Sequence, residues 1–200
     1  MPVQKLMAVD PSLTCSGWAV FSIAGGQLLA VGKIRSLPAE NLLSFRLQDL
    51  QLKIKAVMKQ LGLSKNDVLV CEAPTTMRDP RAAFKVEQVR SIFEVVARER
   101  GVLVPGRLNP RSVQYEIIGL KGRQVKRAGV KSAAVRVASH LYAVDLKRLK
   151  FETGEKNLKK HQDIVDAMLI GALALSRLRS AAVSRQPLEL FFEERGSRRR

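Results

Sequence analysis

The chain has 200 residues, enough for one domain whose core is large enough to stand without disulfide or metal staples. Its hydrophobic share is 46%, yet no apolar run approaches the roughly 18 residues of a membrane span, which argues against a membrane protein. Lys plus Arg is 35 against 18 Asp plus Glu, a net charge of +17 that fits a nucleic-acid partner and also occurs in ribosomal and membrane-surface proteins.

Residues 1–5 lead straight into the apolar run Leu6-Met7-Ala8-Val9, so no signal peptide is expected and the chain reads as cytoplasmic. The run ends in Asp10 and Pro11, the pattern of a buried central strand with a carboxylate at its rim. Residues 18–21 and 28–34 predict two further strands joined around Gly25-Gly26, a hairpin signal. These three strands are expected to be antiparallel. A helix follows over residues 39–61, with Leu43, Leu47, Leu50, Ile54, Val57 and Leu61 on one face, Pro38 before it and Gly62 after it.

Val68-Leu69-Val70-Cys71-Glu72 is a second apolar run closed by a carboxylate and, two residues later, by Pro74. A helix is predicted over 82–100, with Val86, Val89, Phe93 and Val96 on one stripe, and a strand over 102–108. Residues 112–118 predict a short helix, 119–129 a Gly- and base-rich loop, 131–142 a helix in which His140 is partly buried, and 145–160 an exposed basic segment. The last helix is expected over 162–178, apolar on nearly every side between Ala167 and Leu175. The expected division is a domain over 1–179 and a flexible basic tail over 180–200. The layout is α/β: a mixed sheet, three antiparallel strands and then parallel ones, flanked by helices.

Charge is unevenly spread. Residues 77–160 hold 20 of the 35 basic residues and only 8 of the 18 acids. Arg78, Arg81, Lys121, Arg123, Lys126, Arg127 and Lys131 are candidate phosphate contacts, although each alone reads equally as a solvated surface charge. Cys15 and Cys71 lie in no metal-ligand spacing and read as small packing residues of a reducing interior.

The chemistry is expected at the acids. Asp10 and Glu72 end apolar strands, while Asp163 and Asp166, spaced i, i+3, share one face of the last helix. Singly, Asp10 fits a turn, Glu72 a strand end and Asp163 a helix cap. Asp166 borders an apolar stretch where an unpaired charge is costly. Together, four neighbouring carboxylates require a cation or shared protons, and Mg²⁺ takes oxygen ligands of this kind. Two such ions suit phosphodiester cleavage by in-line displacement. His161 reads as a residue of the helix start or a phosphate contact rather than a metal ligand.

The segment from Ala8 through Asp10-Pro11-Ser12 to Gly17-Trp18-Ala19-Val20 resembles the opening of RuvC-type Holliday junction resolvases. Val70-Cys71-Glu72-Ala73, Gln88-Val89-Arg90 and Asp163-Ile164-Val165-Asp166-Ala167 are similar to later motifs of that family, in order, over about residues 5–176. The resemblance implies a ribonuclease-H-like fold and a homodimer through helix 82–100. It also implies metal-dependent nicking of opposing strands of a four-way DNA junction, with Mg²⁺ as cofactor and Mn²⁺ able to replace it. Asp10, Glu72, Asp163 and Asp166 would be the catalytic metal-binding acids, and Lys131 and Arg111 would fall at basic, DNA-facing positions. Thr75 stands where the family often carries an aromatic wedge, with Met77 nearby as a substitute. Competing readings are a non-catalytic DNA-architecture protein on this fold, a nuclease acting on RNA–DNA hybrids or transposon ends, and an ATP-using enzyme of the actin-like type. The last is opposed by the single glycine in loop 10–17.

Overall fold

The structure, a computed structural model, describes residues 4–74, 79–120 and 126–192. Five strands form one sheet: β1 (Lys5–Asp10), β2 (Cys15–Ser22), β3 (Leu28–Arg35), β4 (Val68–Glu72) and β5 (Arg107–Leu108). Their order is β3-β2-β1-β4-β5. The first three are antiparallel and β1, β4 and β5 run parallel. This is the mixed sheet that the alternation of apolar runs predicts, with β1 at its centre.

Successive side chains of a strand point to opposite faces, and the two faces build two cores. Leu6, Ala8, Ala19, Phe21, Val68 and Val70 meet the long helix α7 (Gln162–Ser184). Met7, Val9, Val20, Leu69 and Cys71 meet α1 (Leu43–Gln60) and α2 (Pro80–Glu99). Helix α7 presses hardest on the sheet. A Cβ on Gly171 would lie 2.0 Å from the ring of Phe21, and one on Gly17 would lie 2.0 Å from the backbone oxygen of Asp163. Two glycines, one on the helix and one on β2, therefore set how closely the helix lies over the sheet.

Several expectations are corrected. The segment 102–108 is not a continuous strand: it pairs at the bridge Val68↔Leu103 and again at Arg107–Leu108. Pro105 lies between the two points and has no N–H to give the ladder. Helix α1 starts four residues later than predicted, and its buried face includes Arg46 beside Leu50, Ile54 and Met58. Arg46 donates to the carbonyls of Leu37 and Leu13 and to Ser36 Oγ, which satisfies its charge by tying α1 to two loops.

After β5 come a single turn, α3 (Pro110–Ser112), and a π-helical turn, Val113–Ile117. Helix α4 (Arg127–Leu141) takes in residues 127–129, which the sequence placed in a loop. His140 is exposed rather than partly buried. Segment 145–160 is not merely an exposed charged stretch. It contains α5 (Ala143–Arg148) and α6 (Glu155–Leu158), which bury Leu146 and Leu158 completely, and Asp145 accepts a bond from the Leu28 N–H at the start of β3. Helix α7 runs six residues past its expected end and stops at Arg185 in the left-handed conformation. Beyond it Phe192 is fully buried, so the expected tail boundary at 180 falls inside packed structure.

Candidate metal centre

The strand register places the site. Asp10 is opposite Gly17, and Gly17 is opposite Lys33. Val9 pairs with Cys71, so one step further Asp10 and Glu72 continue the same row on the parallel side. Paired residues project from the same face of a sheet. Lys33, Gly17, Asp10 and Glu72 thus cross four strands in one line on the face covered by α7. The bare backbone of Gly17 admits the first turn of α7, which brings Asp163 and Asp166 over that row.

The acids of this row and of α7 are close enough to act on one another's charge. Burial, followed by the charges of Glu72, Asp166 and Asp163, pushes the Asp10 carboxyl well above its usual range against the pull of Arg90. Burial and then Asp166 raise Glu72 to about 7, again opposed by Arg90. Burial raises Asp166 to about 6, while the Gln162 amide, Lys131 and Arg127 hold it back. The Gln162 amide donates to Asp166 Oδ1 at 2.8 Å, and the Lys33 ammonium lies 3.0 Å from Asp163 Oδ2.

Behind the row lies a buried cationic support. Arg90 on α2 donates from Nε to the Glu72 carbonyl at 2.6 Å and is ion-paired to Glu87. Arg107 on β5 grips Glu94 at 2.7 and 2.8 Å and reaches Glu87 at 2.8 Å. In front is a cavity of about 190 Å³ lined by Glu72, Asp166, Gln162, Arg127, Lys131 and apolar residues of α4 and α7. A polyanion reaching Glu72 and Asp166 from this side passes two basic side chains.

The other predicted residues fall as follows. Arg81 and Arg111 are exposed near the starts of α2 and α3, and Lys126 is exposed just before α4. Arg78, Lys121, Arg123, Thr75 and Met77 lie outside the described residues. His161 precedes α7 with a non-helical backbone, and its ring packs edge-on to Phe151. Cys71 is buried as expected, but Cys15 is not a simple packing residue: its half-buried thiol faces Arg35 and Asp163. Lys33, Arg90 and Gln162 are site residues that the sequence reading missed. Lys33 was recoverable from the hairpin register, which sets it opposite Gly17.

Half-buried, mutually repelling carboxylates with hard oxygen donors fit a divalent ion such as Mg²⁺. Among the described residues, no three His, Cys, Asp or Glu side chains are already drawn around one metal position. Mg²⁺ does not need such a closed cage, because it keeps waters and takes one or two carboxylates with substrate phosphates.

The raised values fix a pH dependence. The folded chain binds protons on Asp166 and Glu72 that the unfolded chain, at the ordinary 3.8 and 4.5, has released. Stability from these groups is complete below the ordinary values and is lost as pH rises through about 6 and about 7. The metal-free chain is expected to melt at lower temperature at pH 8 than at pH 5, and saturating Mg²⁺ to flatten that slope. Calorimetric melts at both pH values test this, and a metal-free melting temperature that rises over the interval contradicts it.

The mixed sheet flanked by helices is a ribonuclease-H-like fold. No protein-family model matches the chain. The crossover junction endodeoxyribonuclease RuvC of Parvibaculum lavamentivorans is 31% identical over 122 residues, 60% of this chain and 67% of that protein. Thermus thermophilus RuvC has a similar fold, with TM-score 0.63, 16% identity and coverage of 90% of this chain and 97% of its own. The same protein in complex with a Holliday junction substrate gives TM-score 0.60 at 16% identity, covering 90% and 96%. The fowlpox virus Holliday junction resolvase gives 0.55 at 14% identity, covering 86% and 99%. The chain belongs to the RuvC family of crossover junction endodeoxyribonucleases. No described helix is long and apolar enough to cross a membrane.

Proposed function

We propose that the chain is a Mg²⁺-dependent, structure-selective endonuclease that nicks opposing strands of four-way DNA junctions. The observation that carries this is the row Asp10–Glu72 with Asp163 and Asp166 above it, in a chain of this family. Divalent metal held there supplies Lewis acidity to the attacking water and the leaving oxygen of an in-line displacement.

The protein's own groups do the rest. Asp10 and Glu72 are rigid donors because the sheet fixes their backbones, and Arg90 clamps the Glu72 carbonyl from behind. Asp163 and Asp166 approach from α7 on a backbone that Gly17 lets down onto the sheet. Arg127 and Lys131 on the cavity wall bind phosphate and orient the strand across the acids, with Lys126, Arg81 and Arg111 as outer contacts. Arg78, Lys121 and Arg123 would extend the same basic surface.

Two opposing strands call for two sites, and a homodimer through α2 supplies them. That helix exposes Phe84 and Val95, at 65% and 51%, on the stripe that also carries Gln88 and Ser91. Uncovered aromatic and aliphatic side chains of this kind suit a partner helix.

The test is a substrate panel: four-way junction, linear duplex and RNA–DNA hybrid of equal length, with Mg²⁺, with Mn²⁺ and with chelator. Symmetric nicks in the junction alone, in either metal and none in chelator, are expected. Cutting in chelator overturns the metal reading, and preference for the hybrid overturns the junction reading.

A further inference from the structure

We infer that Lys33 is an exchangeable counter-ion: it holds Asp163 in the metal-free protein and, once metal takes that carboxylate, turns its ammonium to a phosphate oxygen of the DNA strand. This rests on the metal reading of the four acids. Three observations point to it. Lys33 belongs to the acid row itself, opposite Gly17 on β3, so its stem leaves the same sheet face as Asp10 and Glu72. Its ammonium is 3.0 Å from Asp163 Oδ2, and its side chain is only 17% exposed. β3 is the edge strand of the sheet, so a second anionic partner can approach Lys33 from outside the row.

An ordinary surface ion pair adds little to stability and gives no reason for its place beside three other carboxylates. A lysine there answers a different need. The cluster is anionic and half-buried, and without metal it must be offset by protons or by a cation. A fixed ammonium supplies part of that offset. The same charge then repels an incoming divalent ion and competes with it for Asp163. Lysine is suited to leave, because its charge is a compact point on a flexible stem, with three donors that need no fixed plane of acceptors. The acceptor it gains is a non-bridging phosphate oxygen, and no covalent bond changes in the exchange.

The test measures Mn²⁺ binding by electron paramagnetic resonance and junction nicking at saturating metal, on the full chain and on Lys33→Gln and Lys33→Arg. The glutamine variant removes the charge at an edge-strand position and is expected to fold, as circular dichroism would show. It should bind Mn²⁺ about three- to tenfold more tightly, the scale of a partly screened unit charge a few ångström away. It should nevertheless nick about tenfold more slowly, because the phosphate has lost a cation. Lys33→Arg, which keeps the charge, should restore the original Mn²⁺ affinity. A lysine that only neutralised the acids would also tighten Mn²⁺ on removal but would leave nicking undiminished, so the nicking rate carries the phosphate half. Unchanged or weaker Mn²⁺ affinity in Lys33→Gln overturns the inference, and tighter binding with undiminished nicking overturns its phosphate half. If the unaltered chain shows no Mn²⁺ binding that Asp10→Asn abolishes, the metal reading itself falls, and this inference with it.

Discussion

Replacing Asp10 with asparagine leaves junction binding intact and removes nicking. Asp10 is the acid that feels the charges of the other three, at the end of the central strand. The amide keeps the volume and one oxygen but removes one of the four carboxylates that would hold metal over the row. Metal contributes several kcal/mol to a phosphoryl displacement, and about 1.4 kcal/mol is tenfold in rate, so the fall is roughly a thousandfold or more. In the proposed reading DNA affinity rests on Arg127, Lys131 and the outer basic residues, which the change does not touch. The metal-free variant should also melt higher than the parent, because it no longer buries a carboxylate beside three others. Parallel nicking, gel-shift and melting measurements check all three expectations. An Asp10→Asn protein that nicks at near-parental rate ends the reading.

Arg90→Met carries the largest expected cost to folding, about 2–3 kcal/mol, the scale of a buried acceptor left unsatisfied. The Arg90 side chain is 2% exposed, lies under the site, bonds the Glu72 carbonyl and pairs with Glu87. Methionine fills most of the volume but leaves that carbonyl and part of the Glu87 charge unanswered at the inner end of α2. Arg107 still holds Glu87 and Glu94, so the network is weakened rather than lost. Urea unfolding measures the change. A loss below about 1 kcal/mol, the size of an average substitution, would mean that the guanidinium is not the support described here.

Both effects depend on residues whose legibility in the sequence differed sharply. Asp10 and Glu72 were readable because two apolar runs both stop on an acid close to a proline, although each acid alone fits a turn or a strand end. Asp163 and Asp166 were readable because a helical spacing fixes their common face. The central strands and the long apolar helix followed from the same periodicities. Arg90 was visible as a motif residue but not as a buried one, since its burial depends on a carbonyl supplied by another strand. Arg46 is hidden for the same reason: its partners are loop carbonyls at Leu13 and Leu37. Lys33 needed the register of β2 against β3, which composition does not reveal. Helices α5 and α6 were masked by their charge, because two buried leucines, Leu146 and Leu158, are a faint signal among lysines. The broken edge at β5 turned on Pro105, whose missing N–H outweighed the apolar character of residues 102–108.

The most direct measurement is anomalous diffraction from crystals of the chain soaked in Mn²⁺. The account predicts manganese density bounded by the carboxylates of Asp10, Glu72, Asp163 and Asp166, with the Lys33 ammonium moved off Asp163. Manganese bound elsewhere, or none at the acid row with the four carboxylates accessible and ordered, would contradict it.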